Sequence, residues 1–128
     1  MTEGIEGVTR AALLLALDAA SLRQQAHAAN IANAGADGHA PLRVDFESQL
    51  ADARREMADS GRLDARSIAK VRPQLLPADA DEGRARGPVR LDLEAADMAR
   101  NALHYQALVK GLSRHLSILS MAAGDGRK

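Results

Sequence analysis

The chain has 128 residues, with 17 Lys and Arg balanced by 17 Asp and Glu, and no cysteine. Zero net charge argues against nucleic acid or an anionic membrane as the main partner, since both call for a basic excess, and the lack of cysteine excludes a disulfide framework, a thiol nucleophile and a cysteine-ligated metal. Hydrophobic residues reach 46% but aromatics only 2%, a balance that suits thin helix-to-helix seams and argues against an enzyme with an aromatic-lined pocket.

The opening MTEGIEGVTR carries acidic residues and no basic region before its apolar run, which predicts no cleaved secretory signal. The run AALLLAL is too short to span a bilayer and leads directly into Asp18. From Ile5 the apolar positions step by three and four through Val8, Ala12, Leu15, Ala19, Leu22, Ala26 and Ala29. This heptad stripe, free of proline, predicts a helix over about 5–33, roughly 40 Å long, packed on a partner helix. Asn33 and Gly35 are expected to end it, since both tolerate left-handed backbone.

Residues 34–92 read differently. The loop GADGHAPLR comes first. Phe46, Leu50, Ala53 and Met57 then step by four, three and four, predicting a short amphipathic helix with Asp45 as N-cap and Ser60-Gly61 as its stop. Residues 62–90 show no period and hold Pro73, Pro77, Pro88 and the run DADEGRARG. That composition buries too little apolar surface to offset its ordering entropy, so an extended, mobile linker is expected. The alternation of Val89, Leu91 and Leu93 predicts a short strand or extended arm leading into the last element.

That element is a second long helix, about 93–123. Its stripe is Ala95, Met98, Ala102, Tyr105, Val109, Leu112, Leu116, Leu119 and Ala123, closed by Ala123-Gly124 before a polar tail. The first stripe is half alanine and the second is bulkier, so the two are expected to interdigitate antiparallel, Ile5 toward Leu119 and Ala29 toward Met98. The predicted class is all-α: residues 1–34 and 91–124 form paired terminal helices, an antiparallel coiled-coil-like hairpin. Residues 35–90 supply a loop, a short helix and a mobile linker. Leu13, Leu14, Leu17, Leu103, Leu108, Ile118 and Met121 fall off the stripes, which predicts an association surface unless a third helix of the same chain covers them.

No reactive constellation stands out. His27, His39, His104 and His115 form no HxxxH pair, and His104 and His115 are too far apart along one helix to share an ion. Nucleophile-elbow, phosphate-loop and dinucleotide-binding patterns do not occur. Asp79, Asp81 and Glu82 read as a solvated run, and Arg54, Arg55, Arg84, Arg86 and Arg90 are balanced by neighbouring acids. The expectation is no enzyme, cofactor, metal or small-molecule substrate.

The stretch Ala29-Asn30-Ile31-Ala32-Asn33-Ala34 resembles the "SNIANA" signature of the bacterial flagellar axial proteins. Val44-Asp45-Phe46 follows at a separation similar to that in the family's proximal rod members. At the other end Val89-Arg90-Leu91-Asp92-Leu93-Glu94, Met98 and Asn101-Ala102-Leu103-His104-Tyr105-Gln106 resemble the family's "V-D-L … N-x-L-x-Y-Q" segment. The family loop "D-T-P-G-Y-K" is replaced by Gly35-Ala36-Asp37-Gly38-His39-Ala40, which keeps only the glycine, as Gly38. The resemblance implies an inner rod-core domain of paired terminal helices. It also implies export through the flagellar type III apparatus without a cleaved signal, and a place in the periplasm-spanning rod of the basal body. Implied partners are copies of the chain, other flagellar rod proteins and the export-gate/FliE junction at the rod base. Implied assembly residues are Asn30, Ile31, Asn33, Gly38, Asp45, Phe46, Asn101, Leu103, Tyr105 and Gln106. Asn30 and Asn33 are expected to satisfy backbone groups where helix turns into loop. The competing expectation is a soluble helical adaptor or export chaperone that binds a partner helix in a groove.

Overall fold

A computed structural model describes residues 2–62, 64–78 and 88–126. In chain order they form α1 (Thr2–Ala32), β1 (Leu42–Asp45), α2 (Glu47–Ser60), α3 (Ala65–Lys70), β2 (Gln74–Pro77) and α4 (Leu91–Asp125). The protein is mostly helical, and its two long terminal helices pack on each other. Their direction is antiparallel. Glu94 meets His27 and Asn30, Asn101 meets Ala20 and Gln24, and Gly111 lies against Leu13.

The seam between α1 and α4 differs from the expected one by about one residue on α4. Met98, Leu112 and Leu119 are half-buried, as the stripe requires. Val109 and Leu116, however, are 44% and 46% exposed. The row Glu94, Asn101, Leu108 and His115 takes their place. The physical reason is polar satisfaction: Glu94 and Asn101 both have hydrogen-bond partners on α1, and a buried amide left without them costs about 1–3 kcal/mol. Turning α4 to seat these groups carries Val109 and Leu116 outward. On α1 the stripe holds best in the middle, where Ala19 and Ala26 are buried and Leu15, Leu22 and Ala29 half-buried. Val8 is half-buried, while Ala12 is exposed and Ile5 stands 75% exposed.

The middle of the chain holds more structure than its composition predicts. β1 and β2 pair antiparallel, Leu42 opposite Pro77 and Asp45 opposite Gln74, so the fold is not strictly all-α. Between 62 and 78 the expected linker contains α3, capped by the Asp64 carboxylate accepting from Arg66 N–H at 3.2 Å, and Lys70 in its last turn complements the helix dipole. Ile68 and Val71 are buried, and α3 packs on α1. Two buried apolar side chains and a cap are enough to order a six-residue helix that has no lasting period. The run DADEGRARG, with Asp79, Asp81, Glu82, Arg84 and Arg86, lies outside the described residues.

Local boundaries also shift. α2 starts after Phe46 rather than Asp45; Asp45 ends β1, and its carboxylate accepts from Ser48 Oγ at 3.1 Å. Gly61 ends α2 as expected, at φ 67°. α1 ends at Ala32 in a chain of turns without left-handed Asn33 or Gly35. The left-handed residue in that loop is Gly38, φ 78°, where a side chain would be strained. Leu91 and Leu93 belong to α4 rather than to a strand.

Candidate functional site

The structure gathers its buried polar groups at two levels of the α1–α4 pair. The upper level centres on Asn30, which is 1% exposed. Residue 30 sits in the last turns of α1, facing both the start of β1 and the first turns of α4. Its Nδ2 donates to Leu42 O at 3.0 Å, and its Oδ1 accepts from Leu42 N–H at 2.7 Å. Pro41 O accepts from Ala78 N–H, so alternation along the ladder turns the N–H and C=O of Leu42 away from β2. The Asn30 carboxamide therefore acts as one more peptide unit at the open edge of β1. Only a side chain with a donor and an acceptor in one plane can do this, which selects an amide over a carboxylate.

The same Nδ2 lies 3.3 Å from Glu94 Oε1, and Glu94 Oε2 is 2.7 Å from His27 Nδ1. His39 Nε2 reaches Asn30 Oδ1 at 3.4 Å. The Glu94 carboxylate thus joins α4 to two residues of α1, and through Asn30 the same network reaches His39 in the loop and Leu42 of β1. His27 and Glu94 are each about one-fifth exposed, so their attraction is less screened than that of the surface pairs Arg55–Asp52 and Arg100–Asp97.

The lower level is Asn101, 7% exposed on α4. Its Nδ2 donates to Ala20 O at 2.8 Å and to Gln24 Oε1 at 2.9 Å. A lone amide inside an apolar helix seam costs stability and fixes register, because sliding by a turn would strand it.

The remaining expected site residues are dispersed. Asn33 is exposed and donates back to Ala29 O at 2.8 Å, within its own helix end. Ile31 is half-buried. Phe46 receives the Arg23 guanidinium 5.0 Å above its ring, a cation–π contact between α1 and the start of α2. Leu103 is 69% exposed and Gln106 is exposed. Tyr105 forms one wall of an open groove of about 720 Å³ floored by α1 (Leu14, Leu15, Leu17) and bounded by Ile68 and Ala69 of α3. Sequence reasoning missed His27, Gln24, His39 and Glu94 as partners, since each contact spans a separation that local patterning cannot report. It also missed Gln49, whose amide pairs with both N–H and C=O of Arg72, at 2.7 and 3.0 Å, and so anchors α2 to the end of α3.

Among the described residues no cluster of three or more His, Asp or Glu is placed to hold a metal ion, and no helix is long and apolar enough to cross a membrane. Asp92, in the first turn of α4, has its carboxyl held below the usual range by the Arg90 guanidinium and by the Leu93 N–H. What the site does chemically is hold: amides and one carboxylate lock two helices and a strand into a single register.

Set beside known proteins, the chain matches no protein-family model and no curated protein.

Proposed function

We propose that the chain is a structural subunit of the bacterial flagellar basal-body rod, similar to the proximal rod protein FlgB, and that it assembles through its terminal helices. The observation that carries this reading is the Asn30–Glu94 contact at 3.3 Å, spanning 64 positions of the chain. It joins the two stretches whose residues resemble the axial-protein signatures: Asn30 belongs to the first, Glu94 to the second. Asn101, the leading residue of the N-x-L-x-Y-Q resemblance, bonds back to α1 in the same way. Residues of this kind suit a part whose task is to keep a helix pair in register while its flanks are used by neighbours. Exposed Leu91, Leu103, Val109, Leu116, Ile118 and Met121 on α4 supply such flanks. Copies of the chain, other rod proteins and the FliE junction at the rod base are the proposed neighbours, and export proceeds without a cleaved signal.

The groove between α1, α3 and Tyr105 favours the second reading, an adaptor that takes a partner helix. Deleting the gene and imaging basal bodies decides between them. A rod subunit predicts that the deletion leaves no rod while earlier export components still localise, and that re-expression restores it. Complete rods in the deletion strain would end the proposal.

A further inference from the structure

α4 has a second face that stays largely exposed among the described residues. The row Glu94, Asn101, Leu108 and His115 lies toward α1. At about 100° per residue, Ala95, Ala102, Val109 and Leu116 recur every seventh position about a quarter-turn round the helix from that row. Ala99, Gln106 and Ser113 stand between them, and all but the half-buried Ala102 are exposed. From Ala95 to Ser120 this side carries no Asp, Glu, Lys or Arg, in a chain that is 27% charged. Solvated helix faces normally carry the charges; the neighbouring face of α4 does so with Arg100, Lys110 and Arg114.

We propose that this face is a self-association surface, covered by the same face of α4 from a second copy running antiparallel. Three observations select that occupant. A partner helix bearing charges would have them desolvated here with no counter-charge to meet, whereas two copies of this face bring none. The apolar positions of the face are graded in size: alanine at 95, 99 and 102, then Val109 and Leu116, with polar Gln106 and Ser113 between. A two-fold axis between Tyr105 and Gln106 sets Ala95 against Leu116 and Ala102 against Val109, so each bulky residue meets an alanine. Parallel pairing in register would instead stack Leu116 on Leu116 and leave a gap at Ala95. Full overlap over about 40 Å of helix, about 10 Å wide, buries on the order of 800 Å² in total, the size of a weak and reversible interface. A two-fold contact closes on itself and cannot propagate. The dimer is thus a state of the free chain, and it shields part of the apolar flank before any open assembly begins. It goes beyond the rod reading and does not require it.

The cysteine-free chain gives a clean test with Ala102→Cys/Val109→Cys. Within one chain these positions lie two helical turns apart, about 10 Å, too far to bridge. Under mild oxidation the double variant is expected to form a covalent dimer about tenfold faster than either single variant. Sedimentation velocity of the unmodified chain should show a concentration-dependent monomer–dimer equilibrium, and Val109→Glu should weaken it by about tenfold or more while circular dichroism keeps its helix content. A strictly monomeric chain would overturn the proposal. So would single variants that bridge as fast as the double one, or faster bridging by Ala95→Cys/Val109→Cys, the signature of staggered parallel packing. Each of these outcomes leaves the rod deletion experiment free to give its own answer.

Discussion

Replacing Asn30 by alanine tests the central claim about how the fold is held. The substitution removes the partner of Leu42 N–H and of Leu42 O, and one of the contacts to Glu94. Residue 30 is almost fully buried, so water has little access to take over. Two backbone groups left unpaired at about 1–3 kcal/mol each predict a loss of about 2–6 kcal/mol, a large part of the roughly 5–15 kcal/mol typical of a small domain. Asn33→Ala is the matched control: same residue type, three positions on, but exposed and bonded only to its own helix end. Its expected cost is within about 0.5 kcal/mol. Asn30→Asp should be at least as damaging as alanine at neutral pH, because a carboxylate oxygen would then face both Leu42 O and the Glu94 carboxylate. Urea unfolding followed by circular dichroism at the helix band measures all three. If Asn30→Ala and Asn33→Ala come out within about 0.5 kcal/mol of each other, the view of Asn30 as a surrogate peptide unit is refuted.

Asn101→Leu should leave overall stability unchanged or higher, since apolar replacement of a buried polar group is often neutral or better. It should also slow hydrogen exchange less uniformly along α4, as the helix becomes free to turn toward Ala102 and Val109. Among the described residues His115 Nε2 is buried without a hydrogen-bond partner, so His115→Leu is expected to stabilise by about 1 kcal/mol, read as a higher urea midpoint at constant slope; a lower midpoint would contradict it. For Asp92 the folded-state pKa is depressed, chiefly by the Arg90 hydrogen bond. Its small contribution is therefore complete above the ordinary carboxylate range and is lost as pH falls through the depressed value. Arg90→Ala should move the Asp92 titration upward in a carboxylate-resolved NMR experiment, and an unmoved titration would remove that cause.

Much of the architecture was legible in the residues because it rests on periodicity. Apolar steps of three and four located both long helices, and the small-against-large contrast of their stripes indicated antiparallel pairing. Gly61 closed α2 where its lack of a side chain permits positive φ. The short elements were not legible. α3 and β2 are too brief to show a period, and each is ordered by contacts with segments distant in the chain: α3 with α1, β2 with β1. The site was half legible. Asn30 stood out because an asparagine inside an alanine-rich helix needs a reason, but its partners Leu42 and Glu94 do not.

Local composition and period determined that this chain makes two long amphipathic helices, carries few bulky residues for a core, and exposes more leucine than a solitary hairpin can cover. The rotation of α4 about its axis was decided only in three dimensions. A heptad stripe defines an apolar sector wide enough to admit neighbouring rotations of nearly equal burial, and side-chain volume alone does not choose among them. Hydrogen bonds do, because an amide or carboxylate must find its partner within about 3 Å. Seating Glu94 beside His27 and Asn30, and Asn101 beside Ala20, is what turns Val109 and Leu116 outward, away from the seam.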